Sequence, residues 1–175
     1  MVRRRSSELL LGEWASLGIL YSTPAHGFAV AARLKPDADI GRIWSMSRAL
    51  TYRSLEQLAD RGLIEPIAEE PGVAGGTRTI LATTRVGRAA FRKWVTTPVA
   101  HVRDLRSELL LKIVLARQNE IEITGMLDAQ RRRIDELLGS FERDRPGDGT
   151  VGDDVVERWR LEAAHAAARF LDGLT

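Results

Sequence analysis

The chain has 175 residues, room for one domain of average size or two small ones, and its 44% apolar and 29% charged residues are those of a soluble globular protein. It contains no cysteine, which excludes disulfides and cysteine-ligated zinc or iron–sulfur centres and fits a cytoplasmic protein. Net charge is only +2, but residues 1–99 carry 14 Lys/Arg against 9 Asp/Glu while residues 100–175 carry 12 against 15, a split that assigns a polyanionic partner to the first half.

The opening "MVRRRSSELLLGEW" reads as a basic arm, Arg3, Arg4 and Arg5, leading into a helix. Glu8 and Glu13 interrupt its apolar part, and no small-residue cleavage site follows, so it is not a signal peptide. No apolar run reaches the ~18 residues that span a bilayer, and no membrane partner is expected. Helical periodicity then runs over Ser6–Tyr21, with Leu10, Trp14 and Leu17 on one stripe. Pro24 opens a second, short helix over residues 25–34, which Pro36 stops.

Ser47 is placed to cap a third helix, which runs to about Arg61 and ends at Gly62, a residue suited to a left-handed cap. At 100° per residue, Ser47, Leu50, Thr51, Ser54, Leu55 and Leu58 fall on the inward side of this helix. Ala49, Tyr52, Arg53, Glu56 and Asp60 lie opposite, with Arg48 at the flank. Two short extended segments, Leu63–Glu70 and Thr77–Thr84, flank the turn-rich "PGVAGG" and should pair as a hairpin, with Pro66 at an edge. Thr84 then caps a helix that ends before Pro98.

Three helices, a hairpin and a helix make the layout of a winged helix–turn–helix. The third helix would enter a major groove, where Arg48 and Arg53 can pair with guanine edges or hold phosphate, Tyr52 can donate to phosphate, and the small Ala49 allows close approach. Thr77 and Arg78 would sit at the wing tip, suited to phosphate or minor-groove contact, and Arg3 to Arg5 could add an arm.

From His101 onward the pattern is helical. "HVRDLRSELLLKIVLAR", which contains Leu109, is apolar on more than one side and therefore buried between partners. Ile123, Leu127, Gln130, Ile134, Leu137 and Phe141 form one coiled-coil-like seam; Val156, Trp159, Ala163, Ala166 and Phe170 form another. The fold expected is mainly α, with a winged helix–turn–helix domain over residues 1–99 and an all-helical dimerisation domain over 100–175. Narrow apolar stripes on long helices require a partner stripe. A second copy supplies one, and a bundle closed within one chain is the alternative. Trp159 is either core or a stacking platform for an aromatic ligand.

The order and spacing of several segments resemble the PadR-like transcriptional regulators. "LLLGEWASLGILYSTPAHGFAVAARL" is similar to the family's first two helices, "YRSLEQLADRGLIEP" to its third, "TTRVGRAAFRKWV" to its helix after the wing, and "RDLRSELLLKIVLA" to the start of its C-terminal domain. The resemblance covers most of the chain. It implies a homodimeric repressor of double-stranded DNA, released by a small hydrophobic or phenolic effector, with Tyr52 contacting DNA. Where the family usually has Pro–Gly–Ser/Thr–Leu before that tyrosine, this chain has Arg48, Ala49, Leu50 and Thr51.

The alternative is a winged helix that binds protein instead of DNA. No nucleophile elbow, phosphate loop or pair of catalytic carboxylates is present, so neither catalytic residues nor a cofactor are expected. His26, His101 and His165 lack metal-ligand spacing; His26 is expected as a turn or capping residue.

Overall fold

The computed structural model describes residues 8–72, 76–143 and 154–174. Arg3, Arg4 and Arg5, the centre of the wing tip and the loop between the last two long helices lie outside the described residues. The elements follow the order α1 (Leu11–Leu20), β1 (Ala25–His26), α2 (Gly27–Arg33), α3 (Arg48–Asp60), β2 (Ile64–Pro71), β3 (Thr77–Thr83), α4 (Arg85–Val95), a 3-10 turn (Val102–Asp104), a π-helical turn (Leu105–Leu109), α5 (Leu110–Gln118), α6 (Thr124–Arg143) and α7 (Val155–Asp172). This is a winged helix–turn–helix followed by helices.

Local chemistry sets the boundaries. Helix α1 starts at Leu11, later than its apolar stripe suggested, because Glu13 reaches back and accepts the Leu10 N–H at 2.6 Å. Ser47 caps α3 by accepting the Leu50 N–H at 3.3 Å, and Thr84 caps α4 by accepting the Gly87 N–H at 3.0 Å. Gly62 follows α3 with φ +66°, a conformation that side chains with a Cβ rarely adopt.

The sheet has the order β1-β3-β2, all antiparallel. Strand β1 was not legible in the sequence: Ala25 and His26 pair with Leu81 and Ile80, so the second helix begins only at Gly27. Strand β2 is an edge, and its ladder slips between Pro66 and Ala68, where proline has no N–H to give.

Two apolar clusters form the interior. The first joins Leu17, Leu20 and Tyr21 of the α1 region, Val30, Leu55, Leu58 and Phe91 to Leu111 and Leu115 of α5. The winged-helix core therefore runs past residue 99. The second joins Val99, Leu105, Leu109 and Ile113 to Leu127 and Ile134 of α6 and Ala164, Ala168 and Leu171 of α7. Helix α5 thus serves both clusters, which explains its apolar residues on two sides. One continuous helix was expected over residues 101–117. Instead a 3-10 and a π-helical turn precede α5 and adjust its phase to the two clusters.

Candidate nucleic-acid interface

Helix α3 is held from behind. Leu55 and Leu58 are buried against the first cluster, and burial of each such side chain stabilises by about 2 kcal/mol. Thr51 is also fully buried, its hydroxyl donating to the Ser47 carbonyl at 3.1 Å. Leu50 does not join them. It is 53% exposed, because the first turn of α3 projects beyond the core and turns Leu50 out beside Ala49 and Arg53.

The outward face carries Arg48, Ala49, Tyr52, Arg53 and Glu56, all exposed. The Arg48 guanidinium lies 5.2 Å from the Phe28 ring centroid and 5.6 Å from that of Tyr52, so two aromatic faces orient it. Phe28 is 48% exposed on the first turn of α2. Gly27 makes this packing possible: a Cβ there would stand 3.0 and 3.2 Å from ring atoms of Tyr52 and 3.3 Å from Leu55.

Across from α3, strand β3 brings Thr77 and Arg78 to the same side. His26, Gly27, Phe28, Arg48, Tyr52, Thr77 and Arg78 line a single open groove of about 590 Å³, with Glu56 as its acidic member. The groove joins the predicted residues Arg48, Tyr52, Thr77 and Arg78. Arg53 and Ala49 lie on the exposed face of α3 outside its lining. Sequence reasoning missed Phe28 and His26 as part of this face. The pairing of Ala25 and His26 with β3 brings them in, and a two-residue strand leaves no periodicity to read.

Two basic residues of α4 are already engaged. Arg88 donates to the Tyr21 carbonyl and lies over its ring at 4.3 Å; Arg92 donates to the Tyr21 hydroxyl. These cations of α4 hold α1 and do not belong to the groove.

The residues expected at a dimer seam divide into two groups. Leu109, Leu127 and Ile134 are buried within the chain, so they join the π-helical turn, α6 and α7 to one another and are not available to a second copy. Leu137 and Phe141 are half-buried. On α7 the inward stripe is Ala164, Ala168 and Leu171, not the larger side chains. Small residues let α7 nest against α6, and this turns Val156 (54% exposed), Trp159 (72%) and Phe170 (42%) outward, with Ala166 beside them and Ala163 half-buried. Trp159 is therefore not core in the isolated chain. Arg131 in the first half of α6 donates to Asp172 at the end of α7 at 2.7 Å, as an antiparallel pair of helices allows.

Among the described residues no group of His, Asp and Glu is arranged to hold a metal ion, and no helix is long and apolar enough to cross a membrane.

The fold and this groove define a winged-helix protein with an aromatic and cationic face. No family model matches the sequence, and no curated protein matches it. Solved structures similar to this chain over most of its length include PadR and PadR-like transcriptional regulators. PadR of Bacillus subtilis in complex with operator DNA is 16% identical, with 93% of this chain and 92% of that chain covered and a TM-score of 0.48. The same protein in complex with p-coumaric acid is 18% identical, with coverage of 94% and 96% and a TM-score of 0.46. A PadR-like transcriptional regulator from Bacillus cereus is 18% identical, with coverage of 96% and 95% and a TM-score of 0.43.

Proposed function

We propose that this chain is a DNA-binding transcriptional regulator that acts as a homodimeric repressor. One observation carries the reading: the first two turns of α3 present Arg48, Tyr52 and Arg53 outward, and β3 adds Arg78 on the same side. A helix that enters a major groove meets bases with its N-terminal residues. Arginine supplies a bidentate pair to guanine or a phosphate contact, and the wing supplies a further backbone contact. The acidic residues Glu56 and Asp60 fall in the later turns, away from the base edges.

The outward stripe of α7 supports the homodimer. Val156, Trp159, Ala166 and Phe170 form an apolar face that a second copy would cover. Paired chains would present two α3 helices to successive half-sites, roughly 34 Å apart on one face of a duplex. A small hydrophobic or phenolic effector, stacking on Trp159 at that face, would release the repressor.

A gel shift with the DNA upstream of the protein's own gene tests the reading. Specific retardation that weakens as salt rises is expected. Arg53→Ala and Arg78→Ala should each weaken binding and flatten the salt dependence by about one counterion. If both variants bind as tightly as the parent at every salt concentration, α3 and the wing are not the DNA face.

A further inference from the structure

His26 stands where α2 meets the groove, and its two ring nitrogens have different tasks. Nδ1 accepts the Ala29 N–H at 3.0 Å, capping α2. A neutral imidazole carries one ring proton, so a ring that accepts at Nδ1 carries that proton on Nε2. Nε2 lies 3.5 Å from Nη1 of Arg78. A guanidinium has donors only. The two groups therefore do not bond to one another: both are donors, on different elements, and they converge on one place. Protonating the ring does not change this, because an imidazolium loses the cap on Ala29 and remains a donor at Nε2.

Two converging donors call for an acceptor from outside, and the carboxylates nearby do not supply one. Glu70 stands opposite Arg78 in the β2–β3 ladder, and Glu56 lines the groove. Among the described residues, neither forms an ion pair with Arg78. The Arg78 side chain instead passes Gly72, where a Cβ would stand 3.3 Å from its Nε, and ends beside His26. The open side of this pair is the groove flanking α3, where the sugar–phosphate backbone runs when α3 lies in a major groove.

We propose that His26 Nε2–H and the Arg78 guanidinium hold a single backbone phosphate of duplex DNA, which makes His26 a DNA-contact residue beyond α3 and the wing. This rests on the DNA-binding reading above. Arg78 supplies the charge of the clamp. His26 supplies a neutral donor whose tautomer and direction are fixed by its cap bond. The ring has a second function in the fold, so the test must keep the cap while removing the outward donor.

His26→Ser does this, since serine also accepts an N–H at a helix start. The full chain is titrated by fluorescence anisotropy against a labelled mixed-sequence duplex over a range of potassium chloride concentrations. His26→Ser should bind roughly ten- to a hundredfold more weakly, as for loss of one hydrogen bond to a charged acceptor, with an unchanged salt slope. Arg78→Ala should weaken binding and lower the slope by about one. The double variant should lose less than the product of the two single losses, because the donors share one phosphate. His26→Asn, which caps and keeps an amide donor, should recover part of the loss. Should the serine variant melt early by circular dichroism, His26→Thr, which also caps and has no ring N–H, takes its place.

Each other result decides a separate point. A parent that binds no duplex at low salt removes the DNA-binding reading itself. A parent that binds while His26→Ser binds equally well removes His26 from the interface and leaves the reading intact. A slope lowered in His26→Ser assigns a charged ring and overturns the neutral donor. Fully multiplicative losses place the two groups on different phosphates, and equal losses for serine and asparagine assign the effect to ring packing. Inorganic phosphate that competes at low millimolar concentration, while chloride at equal ionic strength does not, would make the pair a free-anion site and overturn the duplex assignment.

Discussion

The side-chain amide of Gln130 reads the backbone of Val99 twice. The Val99 N–H donates to Oε1 at 2.6 Å, and Nε2 donates to the Val99 carbonyl at 3.2 Å. Gln130 is 1% exposed, and Val99 is buried in the second cluster. The residue thus gives α6 a fixed seat on the segment that leaves the winged helix. Gln130→Leu keeps the volume but leaves the Val99 N–H buried without its partner, and should cost about 2 kcal/mol. Urea unfolding checks this: an unchanged midpoint would mean that the pair contributes nothing net.

Lys112 fastens the same segment from the other side. Its ammonium donates to the Thr97 carbonyl at 2.7 Å, pairs with Glu108 at 2.7 Å and lies 5.1 Å from the Trp94 ring centroid. Burial pulls the ammonium below its ordinary value of 10.5, and Glu108 only partly restores it. In the window between the lowered folded value and 10.5, the unfolded chain binds more protons than the folded one, so this group's contribution to stability rises with pH there. Lys112→Met, which packs on Trp94 but leaves the Thr97 carbonyl and the Glu108 carboxylate without their partner, should cost about 2 kcal/mol at neutral pH and lose that alkaline rise. Lys112→Ala opens a cavity and should cost about 2–3 kcal/mol. Chemical unfolding of the three proteins across neutral to alkaline pH measures both effects.

The sequence carried the winged-helix layout because each boundary has a strong local chemical signal. Ser47 and Thr84 cap, Gly62 ends a helix, Pro66 marks an edge, and the glycine-rich turn joins β2 to β3. Half of the groove was legible for the same reason, since Arg48, Tyr52 and Arg78 lie on elements with clear periodicity or turns. Leu50 and the inward stripe of α7 were not. Leu50 has the right angle to face inward, but the first turn of α3 extends past the core that its later turns rest on. On α7 the pattern weights Trp159 and Phe170 by size, whereas packing against α6 selects the small Ala164 and Ala168. Helical angle fixes which residues share a face; neighbouring elements decide which face is covered.

Leu50 offers a direct check of that distinction. If the helical angle alone governed, Leu50→Ser would remove a core contact worth about 2 kcal/mol. At 53% exposure the change should stay within about 0.5 kcal/mol. Thermal unfolding of this single variant separates the two values. Its DNA affinity should change without loss of fold, because the side chain is exposed on the first turn of α3 beside Ala49 and Arg53.

Gly27 tests how the groove is held in shape. A Cβ at this position would meet the Tyr52 ring at 3.0 Å, so the ring must move by a few tenths of an ångström or α2 must lift. Either shift disturbs the stack of Arg48 between Phe28 and Tyr52. Gly27→Ala should therefore lower DNA affinity by roughly three- to tenfold while changing stability by about 1 kcal/mol or less. Anisotropy and thermal unfolding on one preparation give both numbers. A loss of stability without loss of affinity would mean that the aromatic stack does not orient Arg48 for DNA.

The outward stripe of α7 decides the assembly. Trp159 is 72% exposed and Val156 54%, so a charged residue at either site removes nothing from the interior of one chain. In a monomer, Trp159→Glu should change stability by less than about 0.5 kcal/mol. In a dimer joined through this stripe, the same change buries a carboxylate without a partner in each copy, which is strongly unfavourable. Sedimentation velocity of the parent should then give twice the chain mass, and Trp159→Glu should give one chain mass at the same concentration, with the helical content of α1–α4 retained. DNA affinity should fall as well, since a single α3 can grip only one half-site. A parent and variant that sediment alike as dimers would place the interface elsewhere, and Phe170→Glu, on the same stripe, would then be equally silent.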